Sequence, residues 1–209
     1  MNYRIEQFDR IDNQDSLGSY IQQTVLPYYK NLGFNAYLFS TQYSLGLREM
    51  WLVTSMERLN MVTLIGEKFF DDKEGKDIER NLVSKTVDSM STTVKDLEPE
   101  IKWIRIPGKM YHVENFNSLV GCEAFEKFFL REAFPYLRKR GFNIKLFRTL
   151  QGYRPADYWF ITEMDRFASI DNWSKLASGE PEGEKIMQKF MLYTSITKAS
   201  VIKEVQNDQ

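Results

Sequence analysis

An internal repeat constrains the fold of this 209-residue chain more than any other feature. At an offset of 108 residues the sequence aligns with itself without a gap over 3–60, with 15 identities in 58 positions. Unrelated sequences of average composition would share roughly 6%. Segment 27–35 falls on 135–143, and both copies keep the same Pro, Tyr, Gly, Phe and Asn. The repeat predicts two units of one architecture, at 1–107 and 108–209.

Each repeat begins with the pattern of a strand and then of a helix. Residues 3–8 alternate apolar and polar side chains, which is typical of a half-buried strand. Apolar side chains recur at three- and four-residue spacing over 17–32, as in an amphipathic helix. Gly33 is placed to end this helix in the left-handed conformation, and Pro27 predicts a kink or a break into two helical pieces. The second copy has the same features at 111–116, Pro135 and Gly141.

The rest of each repeat predicts a hairpin, a second helix and a last strand. Runs rich in aromatic and β-branched residues at 34–42 and 50–56 suit an antiparallel hairpin. Further helices are predicted at 78–97, 171–173 and 186–191, and further strands at 101–106 and 195–205. Each copy therefore follows the strand order of the ferredoxin-like βαββαβ unit.

A ferredoxin-like unit covers one face of its sheet with helices and leaves the other face bare. Because 43% of the residues are hydrophobic, we expect that bare face to be too apolar to remain in water. Two units in one chain can cover both faces by setting sheet against sheet. The sequence predicts an α+β fold of tandem ferredoxin-like repeats, whose antiparallel sheets form an intrachain pseudo-dimeric α+β barrel. A monomer then suffices, and pairing into a homodimer stays open.

The end of the first helix and the hairpin after it resemble a known superfamily. Segments 26–34 and 134–142 read LPYYKNLGF and FPYLRKRGF, and the following hairpins carry Trp51 and Trp159. This pattern resembles the dimeric α+β barrel superfamily, most of all NIPSNAP-like proteins, and more loosely antibiotic-biosynthesis-type monooxygenases. The resemblance covers nearly the whole chain, once per half. Monooxygenase and haem-degrading members rely on placed Asn, Trp or His residues, and the partial matches are Asn35, Asn143, Trp51, Trp159 and His112.

Composition excludes several classes of function. With 28 Lys and Arg against 29 Asp and Glu, the chain lacks the basic excess of nucleic-acid-binding proteins. One cysteine and one histidine cannot assemble a Cys/His metal site, and no metal is predicted. Phosphate loops, dinucleotide fingerprints, nucleophile elbows and zinc-protease motifs do not occur in the sequence. Without a signal peptide or a long apolar run we expect no membrane partner and a cytoplasmic location.

His112, Glu114 and Trp159 are the weak catalytic candidates. His112, the single histidine, can act as a general base or as an axial haem ligand, or it can be an ordinary strand residue. Glu6 and Glu114 are equivalent, and in an apolar lumen the pKa values of both would rise. Alternatively, each carboxylate pairs with a cation such as Arg105 or Lys145.

The ligand-binding candidates are Glu6, Trp51 and Arg148. An indole such as Trp51 can cover an apolar ligand or simply fill a core. Differences between the copies indicate the second half as the place to look for a functional site. Arg148 stands at the position equivalent to Ser40, and His112 at the position equivalent to Arg4. Cys122 has no adjacent base and is expected to be an ordinary buried or half-buried thiol.

Three functions remain open from the sequence. In the first, the chain binds a small apolar or aromatic molecule between the two sheets and needs no cofactor, which its 14% of aromatic residues favours. Alternatively, it is a cofactor-independent or haem-linked monooxygenase, as the resemblance implies. The third alternative is a structural or interaction protein whose own side chains fill the barrel.

Overall fold

The structure is a computed structural model, and it describes residues 1–11, 16–44, 49–101, 108–152, 156–165 and 179–205. The first half contains β1 (Asn2–Arg10), α1 (Ser16–Tyr20), α2 (Leu26–Asn31), β2 (Asn35–Ser44), β3 (Glu49–Met56), α3 (Met61–Asp71), α4 (Lys73–Lys85) and β4 (Thr86–Asp96). The second half contains β5 (Met110–Ser118), α5 (Cys122–Phe128), α6 (Phe134–Arg138), β6 (Ile144–Gly152), β7 (Tyr158–Met164), α7 (Pro181–Tyr193) and β8 (Thr194–Glu204). Both halves follow the predicted βαββαβ order.

The eight strands form one closed antiparallel barrel. Their order around the barrel is β1-β3-β2-β8-β5-β7-β6-β4, and β4 pairs again with β1. Pairing of β2 with β8 and of β4 with β6 joins the two halves. The predicted α+β fold of tandem ferredoxin-like repeats closed into a pseudo-dimeric barrel is therefore confirmed.

The first helix of each half is broken where proline predicts it. A π-helical turn, Ile21–Val25, separates α1 from α2, and another, Phe129–Ala133, separates α5 from α6. Pro27 lies in the first turn of α2, directly after the first π-helical turn, and Pro135 lies in the first turn of α6, directly after the second. The change of hydrogen-bond register therefore falls next to each proline, which has no N–H to donate.

Glycines with positive φ follow both of these helices. Gly33 has φ 83° and Gly141 has φ 85°, in the left-handed region that side chains with a Cβ rarely adopt. The predicted helix ends are confirmed.

The predicted helix over 78–97 is wrong beyond Lys85. At Thr86 the backbone becomes extended, with φ −121° and ψ 141°, and residues 86–96 form β4. Val87 fits the helical spacing but is 63% exposed, whereas Thr92, Thr93 and Val94 are consecutive buried residues between β1 and β6. Pairing on both sides therefore overrides the apolar spacing.

Other predictions have different outcomes. Cys122 is exposed at the start of α5, so the expectation of a buried or half-buried thiol is wrong. Residues 102–107 and the predicted short helix at 171–173 lie outside the described residues. The boundary between 107 and 108 stays a prediction. No helix in the described part of the chain is long and apolar enough to span a membrane.

Three buried clusters account for most of the core. One lies between the helices and the outer face of each half-barrel, and the third lies inside the barrel. The second-half cluster is built on Phe side chains, including Phe116, Phe129 and Phe160, with ring centroids 5.0 to 6.2 Å apart. The helices thus cover the outside of the barrel, and the inside holds a separate aromatic group.

Candidate functional site

The barrel interior, called the lumen below, is lined by the strand face that carries Tyr3 and Ile5. Side chains alternate between the two faces of a strand, so Arg4 and Glu6 lie on the outer face, next to the helices. Tyr111, the second-half equivalent of Tyr3, also lines the lumen. The repeat therefore supplies the lumen with matched side chains from both halves.

The lumen contains a cavity of about 290 Å³. Among the described residues, no Asp, Glu, Lys, Arg or His side chain lines it. Its hydroxyl groups belong to Tyr3, Tyr37, Tyr111 and Ser55. The apolar part of the lining includes Ile5, Phe39, Val53, Val113, Phe147 and Ile161. Such a cavity suits an apolar molecule that makes a few hydrogen bonds to neutral groups.

The two equivalent tryptophans meet inside the lumen. Trp51 and Trp159 pack edge to face, with ring centroids 6.1 Å apart and planes at 84°. The Trp51 Nε1 atom donates to the hydroxyl of Thr41 at 3.2 Å, and that of Trp159 donates to Thr149 at 3.0 Å. Because both N–H groups are used, the indoles present ring surface to the cavity.

Two further aromatic pairs repeat this symmetry. Tyr3 packs on Phe147 with centroids 5.7 Å apart at 85°, and Tyr111 packs on Phe39 with centroids 5.9 Å apart at 84°. Each pair joins a strand of one half to a strand of the other. The walls of the lumen are therefore fixed by edge-to-face contacts across the two halves.

A buried ion pair lies beside this aromatic lining. The Lys145 Nζ atom is 2.5 Å from Asp96 Oδ2, and both side chains are only 2% exposed. The pKa of the Tyr3 phenol is raised mainly by burial, and further by the negative charge of Asp96 and by the neighbouring Tyr37. Tyr3 therefore stays a protonated hydroxyl over the physiological pH range.

His112 and Glu114 lie on the outer face of β5, opposite to Tyr111. Their Nε2 and Oε1 atoms are 3.6 Å apart, and the side chains are 9% and 17% exposed. Burial lowers the pKa of His112 to about 4 and raises the pKa of Glu114 to about 7. Near neutral pH the imidazole is uncharged and the carboxyl is partly protonated, so Glu114 can accept or release a proton there.

Glu6 and Arg148 also lie on the outer face, in separate hydrogen-bond networks. Glu6 accepts from Arg4 Nη2 at 2.9 Å and from the Tyr29 hydroxyl at 2.9 Å. Arg148 Nη1 donates to Glu126 at 3.0 Å. The prediction that Lys145 pairs with Glu6 or Glu114 is wrong, because Lys145 pairs with Asp96. Arg105 lies outside the described residues.

The structure does not bring the six sequence candidates together. Trp51 and Trp159 line the lumen, whereas the charged candidates Glu6, His112, Glu114 and Arg148 lie on the outer faces. Strand alternation separates Trp159 from His112 and Glu114, and it separates Trp51 from Glu6 and Arg148. Neither predicted set forms one site.

Sequence reasoning missed the tyrosines of the lumen. Tyr3 and Tyr111 are identical at equivalent positions, and so are Phe39 and Phe147. That identity on the apolar strand face was the available signal. What the single sequence does not supply is which face of the strand points inward.

A haem does not fit the lumen. The only histidine of the sequence lies across the sheet from the lumen, so a haem in the lumen could not use it as an axial ligand. The lumen, at about 290 Å³, is at the lower end of small-molecule pockets and too small for a tetrapyrrole.

Solved structures share this fold. An anthrone oxidase-like protein matches with a TM-score of 0.64 and 11% identity, covering 98% of this chain and 91% of that one. A proposed monooxygenase from Fusobacterium nucleatum matches with a TM-score of 0.60 and 12% identity, covering 98% and 92%. A heme-binding protein from Thermus thermophilus matches with a TM-score of 0.56 and 10% identity, covering 98% and 91%.

These similarities concern the fold. No protein-family model matches the sequence, and no curated protein matches it at a significant level. The structural matches extend over almost the full length of both chains, so the tandem arrangement of two ferredoxin-like units is shared as a whole. The dimeric α+β barrel architecture is thereby supported.

Proposed function

We propose that this protein binds a small neutral aromatic molecule in the lumen. The observation that supports this is the cavity of about 290 Å³ with aromatic walls, phenol hydroxyls and no charged side chain among the described residues that line it. An ion that entered it would lose its hydration without gaining a charged side-chain partner, which is costly. A NIPSNAP-like relationship remains part of this proposal, on the sequence pattern alone.

The lining also defines the size and chemistry of the ligand. At roughly 30 Å³ for a water-sized group, the cavity holds about ten such groups, which corresponds to a one- or two-ring compound. Tyr3 and Tyr111 supply hydroxyls on opposite walls. A planar ring can stack against the indoles while one polar substituent reaches a phenol hydroxyl.

Filling the lumen tests this proposal. Val113 is fully buried and lines the cavity, so Val113→Phe is expected to weaken binding of 1-naphthol at least tenfold, measured by tryptophan fluorescence and native mass spectrometry. Val87→Phe adds the same atoms at an exposed position and should leave the affinity unchanged. Equal affinity of the Val113→Phe variant and the unchanged protein, or equally tight binding of 1-naphthoate, would contradict the proposal.

A second candidate is cofactor-independent oxygenation of an aromatic compound. It is supported by the neighbours named as an anthrone oxidase-like protein and a monooxygenase, and by Glu114, whose pKa of about 7 suits proton abstraction. In this function Glu114 accepts a proton, and the uncharged ring of His112, with Nε2 3.6 Å away, keeps its surroundings apolar. The substrate would bind on the outer face of the second half.

Oxygen uptake with anthrone as the probe separates the two candidates. If the second one holds, uptake exceeds the buffer rate and falls at least a hundredfold in Glu114→Gln, because the amide cannot accept the proton. Glu132→Gln changes a half-exposed carboxyl elsewhere and should leave uptake unchanged. Uptake at the buffer rate, or full uptake by Glu114→Gln, leaves binding in the lumen as the function.

A further inference from the structure

A positively charged groove lies on the outside of the second half. It runs between α7 and the broken helix of α5 and α6, and its volume is about 570 Å³. Four cations and two carboxylates line it, so its net charge at neutral pH is +2. We call it the basic groove, and its charged residues are Arg131, Lys139, Lys185 and Lys189, with Glu132 and Glu182.

The matching groove of the first half has the opposite charge. It lies between α4 and the broken helix of α1 and α2, and its volume is about 520 Å³. Asp72, Glu74 and Asp77 line it, and Lys73 is the one cation among the described residues of its lining. Its net charge is therefore −2, and we call it the acidic groove.

The duplication makes the two grooves comparable residue by residue. The helices α4 and α7 contain 13 residues each and begin 108 positions apart, which is the offset of the repeat. The four cations of the basic groove correspond in order to first-half residues that are not basic, namely Gln23, Asn31, Asp77 and Asn81. The same helical framework therefore presents opposite charges on the two halves.

Charged side chains of both grooves are accessible to another molecule. Lys185 is exposed, and the ion pair of Lys189 with Glu132 has side chains 41% and 46% exposed. In the acidic groove, Asp77 is 49% exposed and accepts from Arg80 Nη1 at 3.1 Å. Exposed pairs of this kind are weak, so ion pairs with another chain can replace them.

Each groove also offers a side chain for an apolar contact. Leu192 lines the basic groove and is 70% exposed, and Tyr20 lines the acidic groove and is half-buried. Interfaces between proteins combine such apolar contacts with charged groups at the rim. The net charge of the whole chain is only −1, so copies repel one another little and the local opposite charges set their orientation.

We propose that this protein associates with itself head to tail, with the basic groove of one copy on the acidic groove of the next. Asp77 of one copy then pairs with Lys185 of its neighbour, and Leu192 contacts Tyr20. Because the two grooves belong to different halves of the chain, the contact is heterologous and builds a ring or an open chain of copies. It does not involve the lumen, so it is independent of the ligand proposed there.

Sedimentation velocity of the full chain tests the proposal. At low ionic strength and tens of micromolar protein, species larger than the monomer are expected. Salt at about 0.5 M screens exposed charges and should return the protein to the monomer. A protein that is monomeric at low ionic strength would overturn the proposal and leave the basic groove to an acidic partner of another kind.

Two variants that exchange residues between the halves make the result specific. Arg131→Gln with Lys185→Asp gives the basic groove the first-half residues, and Gln23→Arg with Asp77→Lys gives the acidic groove the second-half residues. Each variant then carries two grooves of like sign and should associate with itself at least tenfold more weakly than the unchanged protein. An equal mixture of the two variants should associate again, because each supplies the charge that the other lacks.

A control variant separates the grooves from the overall charge. Lys95→Gln with Lys203→Glu removes the same charge as the first exchange from exposed positions on β4 and β8, and should leave association unchanged. Circular dichroism verifies that every variant is folded. Association of either exchange variant as strong as that of the unchanged protein, or a mixture that stays monomeric, would overturn the proposal.

Discussion

Replacing Lys145 by methionine is expected to lower the free energy of unfolding by about 3–5 kcal/mol. Lys145 and Asp96 are each 2% exposed, so the change leaves a buried carboxylate without its cation. Within the described part of the chain, the second oxygen of Asp96 accepts only the backbone N–H of Glu98, at 2.9 Å. Urea unfolding at neutral pH, followed by circular dichroism, measures the loss.

An exposed ion pair in the same chain provides the control. Lys189 is 2.6 Å from Glu132, with the two side chains 41% and 46% exposed, so Lys189→Met should cost no more than ~1 kcal/mol. Adding Asp96→Asn to Lys145→Met removes the unpaired charge and should recover most of the stability. A Lys145→Met loss as small as that of Lys189→Met would show that burial does not govern the pair.

This ion pair also shows a limit of the sequence as a source of prediction. Asp96 and Lys145 are 49 positions apart and belong to different halves. Their contact depends on the pairing of β4 with β6, in which Asp96 lies opposite Phe147. Nothing in the local pattern of either strand specifies that register, because it is set when the barrel closes.

Local features were predicted where a single residue type dictates the backbone. Gly33 and Gly141 end helices because φ values of 83° and 85° are unfavourable for other residues, and Pro27 and Pro135 start new helical segments. The β4 segment was assigned wrongly because its apolar residues also fit a helical spacing. Pairing with β1 and β6 decided that segment, and such pairing is not local.

The candidate site was predicted in composition but not in arrangement. Aromatic residues that both copies share, such as Trp51 and Trp159, do line the lumen. Glu6 and Glu114 were candidates because both copies keep them, and His112 and Arg148 because the copies differ there. The alternation of side chains along β1, β5 and β6 places all four on the outer face. Deciding which face is inner requires the helices to be positioned, and Tyr29 packed against Glu6 shows that they cover the charged face.

Glu114→Gln is expected to stabilise the protein increasingly as the pH rises. Burial raises the pKa of this carboxyl from 4.5 to about 7, so between these values the folded chain keeps a proton that the unfolded chain has released. Each pH unit between these two values lowers the free energy of unfolding of the unchanged protein by ~1.4 kcal/mol. Glutamine does not ionise, so the variant should match the unchanged protein near pH 4 and exceed its stability by about 3 kcal/mol at pH 8.

His112 has the opposite dependence, which sharpens the measurement. Burial lowers the pKa of His112 from 6.5 to about 4, so the stability that it contributes above pH 6.5 is lost as the pH falls toward 4. In the unchanged protein the two contributions offset each other between pH 4.5 and 6.5. In Glu114→Gln only the histidine remains, and unfolding free energies should rise with pH across that range. Glu132→Gln, at a half-exposed carboxyl, is the control and should give no stabilisation at pH 8. A difference in unfolding free energy between Glu114→Gln and the unchanged protein that stays constant from pH 4 to 8 would contradict the raised pKa of Glu114.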